Sequence, residues 1–259
     1  MKEITSVKNP QIQAIRELQK PRNRREAGLF LAESVKMVRE ALALSLCRTL
    51  AVDGKRREDY RELIAEAESM GCEVLMVTAA IMQAISEAKT PQGICCTVAI
   101  PQEPEALSGR LIVAMDGVQD PGNVGTILRT ADAAGFDGAL LGAGCADIYG
   151  AKTLRATMGS VFRVPVMRTD DLAASLEEMK ARGYTVVATE LGGADFYAHC
   201  PHENAVLVIG SEGRGVSQAV RDAATHHLAL PMRGGAESLN AAVAAGIMIY
   251  EMARESHQK

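Results

Sequence analysis

Short apolar runs alternate along this chain with segments whose apolar residues recur every three to four positions. The runs at 29–32 (LFLA), 49–52 (TLAV), 73–77 (EVLMV) and 93–100 (GICCTVAI) suit strands. The spaced segments 10–19, 35–44 and 58–70 suit helices that bury one face. At 101–109, PQEPEALSG breaks the pattern with two prolines, two glutamates and a glycine, and predicts a linker. Residues 1–100 then form a small α/β domain, and residues 110–259 a second one.

In the second domain the alternation continues. Strands are predicted at 111–115 (LIVAM), 139–142 (ALLG), 184–189 (YTVVAT), 205–210 (AVLVIG) and 228–231 (LALP). Helices are predicted at 121–135, 151–159 and 171–183, with a last one beginning near Ser238. The runs LIVAM and AVLVI carry no polar residue to face water, so they predict a parallel sheet covered on both faces. The fold class is α/β.

Composition narrows the function. With 47% hydrophobic and 23% charged residues, the chain suits a globular core. Only 3% of residues are aromatic and none is Trp, which argues against a platform of stacked rings for single-stranded RNA. No apolar run approaches the ~20 residues that span a bilayer, and the first residues lack an apolar signal core. Six cysteines without a CxxC pair read as reduced thiols, and a cytoplasmic protein is expected. Adjacent Cys95 and Cys96 read as strand residues.

Net charge is −4, but residues 1–60 carry 13 Lys and Arg against 8 Asp and Glu. This asymmetry suggests a polyanion contact at one end. Its densest cluster is KPRNRR, so Lys20, Arg22, Arg24 and Arg25 are the candidate phosphate contacts; the plain alternative is a solvated turn.

Three loops follow predicted strands, where open α/β sheets place ligands. In DGVQDPGNVGTILRTADAAG (116–135), Asp120 suits a cap and Pro121 a first helical residue. Asn123 falls in the first turn and Arg129 about two turns in. In GSEGRGVS (210–217), three glycines make a tight loop, and the acid Glu212 disfavours phosphate there. It is neither GxGxxG nor a P-loop. In LPMRGGAESLNAAVAAG (230–246), Ser238 could cap the last helix, which leaves Asn240 unexplained. Gly246 among alanines offers a smooth helix face. HCPH at 199–202 lacks further ligands at metal spacing, and no metal is expected.

Taken in order, these loops resemble the SpoU (TrmH-like) branch of the SPOUT methyltransferases. The Asn and Arg of the first family motif match Asn123 and Arg129. The glycine-acid-glycine loop matches 209–217, and the proline-Met strand end with Ser-Leu-Asn matches 230–246. The N-terminal part resembles the family's substrate-binding extension, departing at Ser34, where many relatives read Glu-Gly after the strand, and at Pro91, where relatives often read His. The resemblance implies a deep trefoil knot, a homodimer, and methyl transfer from S-adenosylmethionine to an RNA ribose 2′-hydroxyl. It implies catalytic or positioning roles for Arg129, Asn123, Ser238, Asn240 and Glu212. It places the cofactor on Gly210, Gly215, Leu230, Met232 and Leu239. The expected substrate is 23S rRNA, with tRNA the alternative. A silent RNA-binding assembly factor is the second alternative. A nicotinamide enzyme is disfavoured, since DGVQDPGN stands where GxGxxG belongs.

Overall fold

The computed structural model describes residues 1–254. They cluster into two compact units, one of Met1–Gln102 with Tyr149–Phe162, the other of Glu103–Ile148 with the chain from Arg163 onward. The first unit contains β1 (Lys2–Ile4), α1 (Pro10–Glu17), α2 (Pro21–Ala27), β2 (Leu29–Ala32), α3 (Val35–Ala43), β3 (Cys47–Asp53), α4 (Arg61–Ser69), β4 (Glu73–Val77), α5 (Ala79–Ile85) and β5 (Ile94–Ala99). Its sheet runs β1-β4-β3-β5-β2, with β5 antiparallel to both neighbours. Asn9, Ser34 and Thr78 cap α1, α3 and α5 through their side chains. Ile12, Leu75, Ile81 and Ile85 form part of one core cluster. Cys95 and Cys96 lie in β5 at 1% exposure, and burial pushes the Cys95 thiol well up.

The basic run KPRNRR is not a turn. Pro21 starts α2 and left-handed Gly28 (φ +63°) ends it. This corrects the expectation for Arg24, which is only 4% exposed. Its Nη1 donates to the carbonyls of Leu18 (2.7 Å) and Gln19 (3.0 Å). Arg24 therefore satisfies carbonyls left open where α1 ends, and is turned away from any phosphate. Lys20 and Arg22 stay at the surface, paired with Glu17 and Glu26 at 2.7 Å each, and Arg25 is exposed. Arg24→Ala is expected to destabilise the chain by about 1–3 kcal/mol through unpaired buried carbonyls, read in urea unfolding. Unchanged stability with weakened RNA binding is the contrary result.

The second half of the chain contributes β6 (Leu111–Asp116), α6 (Pro121–Ala134), β7 (Gly138–Leu141), α7 (Ala151–Thr157), β8 (Val166–Arg168), α8 (Leu172–Ala181), β9 (Thr185–Asp195), α9 (Phe196–His199), β10 (Ala205–Gly210), α10 (Gln218–Ala223), β11 (His226–Ala229) and α11 (Ala241–Ala253). Of these, α7 belongs to the first unit, where Phe30 stacks on Tyr149 with centroids 4.9 Å apart. The second unit's six strands are all parallel, in the order β11-β9-β10-β6-β7-β8. Residues 111–115 and 205–209 are at most 3% exposed, because helices cover both faces. Ile112, Leu140, Leu176, Val186 and Val208 belong to the cluster on one face, and α11 packs on α6, β6 and β10 at the other. Among the described residues, no helix is long and apolar enough to cross a membrane.

Candidate active site

The first strand of the second unit, β6, lies beside its fifth, β10, so the chain order switches between these neighbours. Loops from their carboxyl ends therefore open on one crevice. The backbone N–H of Ser217 donates to Asp116 at 2.6 Å and ties the two loops together. Asp120 caps α6 by accepting from the Asn123 N–H at 3.0 Å, which fixes Asn123 in the first turn.

From there a polar chain runs through all three loops. Asn123 Nδ2 donates to Glu212 Oε1. Asn123 Oδ1 accepts from Asn240 Nδ2 at 3.1 Å. Asn240 Oδ1 accepts from the N–H groups of Ala242 (2.9 Å) and Val243 (3.2 Å), which start α11. Each amide oxygen accepts and each amide nitrogen donates, so the network fixes both asparagine orientations. Asn240, not Ser238, is therefore the cap of α11, and the helix begins at Ala241. Ser238 is exposed and makes no side-chain hydrogen bond among the described residues.

Beside this chain lies a cavity of about 640 Å³. Gly210, Gly215, Leu230, Met232 and Leu239 all line it, as do Glu212, Ser238 and Asn240. Gly210 is dictated by contact: a Cβ there would lie 2.1 Å from the Gly215 carbonyl carbon and 2.2 Å from the Val216 nitrogen. Gly215 instead needs its left-handed backbone, φ +67°. The Ser211 and Gly215 backbones exchange two hydrogen bonds, at 3.1 and 2.9 Å, so the glycine loop is folded on itself. Met232 and Leu239 are 36% and 39% exposed, an apolar wall left open to solvent.

Arg129 does not line this cavity. It is exposed on α6 and makes no hydrogen bond or ion pair among the described residues. Nearby, a shallow groove of about 480 Å³ runs between α6 and α11, lined by Thr126, Thr130, Val243, Gly246, Ile247 and Tyr250, among others. Val243, Ile247 and Tyr250 are 51%, 38% and 49% exposed at helical spacing, an apolar stripe on α11.

One part of the cavity wall is not in the predicted set. The apolar pattern predicts a strand ending at Thr189, yet β9 continues to Asp195. The pairing of β9 with β11 breaks between His227 and Leu228, where residues 189–193 bow out. Thr189, Glu190 and Leu191 thereby line the cavity. Glu190 accepts from His227 at 2.9 Å and lies 3.7 Å from Arg221. The local signal was an acid and two glycines directly after an apolar strand, the same signal that marked residues 210–217. Of the HCPH segment, His202 Nδ1 lies 3.2 Å from the Met252 carbonyl.

The model of the SpoU rRNA Methylase family matches residues 110–250, and that of the MRM3-like substrate binding domain matches residues 9–96. The chain is 37% identical to the 23S rRNA (guanosine(2553)-2′-O)-methyltransferase RlmP of Bacillus subtilis, over 97% of this chain and 99% of that one. Among solved structures it resembles an AdoMet-bound rRNA methyltransferase from Sinorhizobium meliloti, with TM-score 0.86, 35% identity, and coverage of 98% and 97%. It also resembles the SpoU methyltransferase AviRb from Streptomyces viridochromogenes in complex with AdoMet, with TM-score 0.88, 29% identity, and coverage of 96% and 99%. The cavity, the polar chain through three ordered loops and these matches make one case: the chain belongs to the SpoU rRNA methylase family.

Proposed function

We infer that the protein is an S-adenosylmethionine-dependent RNA methyltransferase acting on a ribose 2′-hydroxyl, with 23S rRNA as its substrate. The observation that carries this is the Glu212–Asn123–Asn240 chain, which joins the three motif loops at the rim of a cavity sized for a small cofactor. The residues present fit S-adenosylmethionine. Gly210 brings two backbone segments into contact where any side chain would separate them. Leu230, Met232 and Leu239 offer apolar surface to an adenine, and Glu212 offers a carboxylate to a cationic or hydroxyl-bearing group. When bound, the cofactor supplies a methyl group on a cationic sulfonium.

The chain's own residues then have to hold the RNA hydroxyl in line and stabilise its developing negative charge. Arg129 suits the second task. Its pKa above 12 makes it a poor base but a permanent cation, and it is committed to no carboxylate. Asn123 and Asn240 act as positioning residues, since both amides are spent on holding the loops. Ser238 keeps a free hydroxyl for the ribose or phosphate.

Arg129 lies outside its own cavity, on the helix α6 whose Thr126 and Thr130 line the groove beside the apolar stripe of α11, which supports a homodimer in which it serves the partner's cavity. The 210–217 and 230–240 loops line one cavity, which suits a knotted chain path. The reading places the protein in the cytoplasm with its RNA. Val243→Glu is expected to yield monomers in analytical ultracentrifugation and to lower methyl transfer at least tenfold, while the monomer stays folded. A fully active monomer is the contrary result. A second test is calorimetric titration with S-adenosylmethionine: binding at one site per chain is expected, and no binding would overturn the reading.

A further inference from the structure

The first unit holds a larger cavity, of about 860 Å³, with no assigned role. Its floor is apolar, with Leu31, Met37 and Leu154 buried. On its rim stands Arg56, held flat from three directions. Its guanidinium lies over the Tyr60 ring, 5.1 Å from the centroid. Its Nε donates to Asp59 at 2.8 Å and its Nη1 to the Gln92 carbonyl at 2.6 Å. The Tyr60 hydroxyl donates to that same carbonyl at 2.5 Å. Gly93 then yields to the arginine stem: a Cβ there would lie 2.7 Å from Arg56 Cδ. Yet the Arg56 side chain remains 44% exposed, so it is rigid and still accessible.

Two further rim residues, Lys36 and Arg155, are exposed and pair with no acid among the described residues. The rim's carboxylates are already engaged: Glu33 accepts from the Ser86 hydroxyl and the Glu87 N–H, and Asp59 holds Arg56. With Glu33 and Asp59 set against Lys36, Arg56 and Arg155, the rim keeps an excess of positive charge. Gln92 presents its side-chain amide, whose oxygen accepts from the Val35 N–H at 3.1 Å and whose nitrogen is left to donate. Flat surface, hydrogen-bonding edge, apolar floor and spare positive charge together match one chemical class, a nucleotide. Unstacked RNA bases pack on arginine planes as well as on aromatic rings, which suits a chain with so few aromatics.

We propose that the first unit binds one unstacked RNA nucleotide in this cavity, its base on the Arg56 plane and its neighbouring phosphates on Lys36 and Arg155. This deepens the RNA reading and rests on it. The test measures binding of a fluorescently labelled random-sequence RNA octamer to the full chain by anisotropy, across a salt series. Arg56→Lys keeps the charge and removes the plane, and should weaken binding roughly tenfold. The Lys36→Ala/Arg155→Ala pair touches no hydrogen bond of the fold. It should lower the slope of log affinity on log salt by about 1.4, the amount for two single-strand phosphates. S-adenosylmethionine affinity should stay unchanged in both. If the wild type binds the octamer and both variants bind it equally well with the same salt slope, the subsite is wrong and the RNA reading stands. If the wild type binds no RNA, the RNA reading itself fails and the subsite with it.

Discussion

Arg129→Ala is expected to lower kcat for RNA methylation by about 10²–10³-fold, the loss seen when one preorganised stabiliser of transition-state charge is removed. Cofactor affinity should not move, because Arg129 stands outside the cavity that Gly210, Leu230 and Leu239 line. Folding should not move either, because the side chain is exposed and bonds to nothing among the described residues. Single-turnover methyl transfer, set beside calorimetric cofactor binding, separates these effects. A variant that loses cofactor affinity in step with activity would place Arg129 in the cofactor site and contradict the assignment.

Gly210→Ala should do the reverse, striking cofactor binding first. The added Cβ meets backbone on the far side of the loop, at 2.1 and 2.2 Å, and backbone cannot swing aside as the end of a flexible side chain can. Forced overpacking of this kind costs about 1–3 kcal/mol. Applied to the loop that shapes the cavity, that strain weakens cofactor binding by about 10- to 100-fold. Gly213→Ala is the matched control in the same loop, since a Cβ there meets nothing within 4 Å. Equal cofactor affinities in the two variants would mean that the Gly210 contact does not shape the site.

What could be read in advance follows from what is local. The LIVAM and AVLVI runs give strand, burial and parallel pairing together, because a strand covered on both faces leaves no polar position. The Asp120-Pro121 start of α6 is equally local, a cap and a first-turn proline. The α11 cap was ambiguous, since Ser238 and Asn240 are both good caps; backbone geometry chose Asn240, whose oxygen reaches two N–H groups at once. In KPRNRR the charges hid a helix that Pro21 and Gly28 already bracketed. That Arg24 turns inward depends on where α1 ends, a tertiary fact. The bowed segment 189–193 depends on pairing with a strand more than thirty residues later. The placing of Tyr149–Phe162 against β2 depends on a contact between residues over one hundred apart, such as Phe30 with Tyr149. Neither leaves a periodic trace in its own segment. Of the site, the ordered motifs were legible in the sequence, while the hydrogen-bonded chain that connects them was not.

The most direct test of the central claim is a map of ribose 2′-O-methylation on the total RNA of cells lacking this gene, repeated after adding back the wild type or Arg129→Ala. The account predicts one ribose methyl, on 23S rRNA, that disappears with the gene, returns with the wild type and does not return with the variant. An unchanged methylation map, in cells where the purified protein is known to bind S-adenosylmethionine, would contradict it.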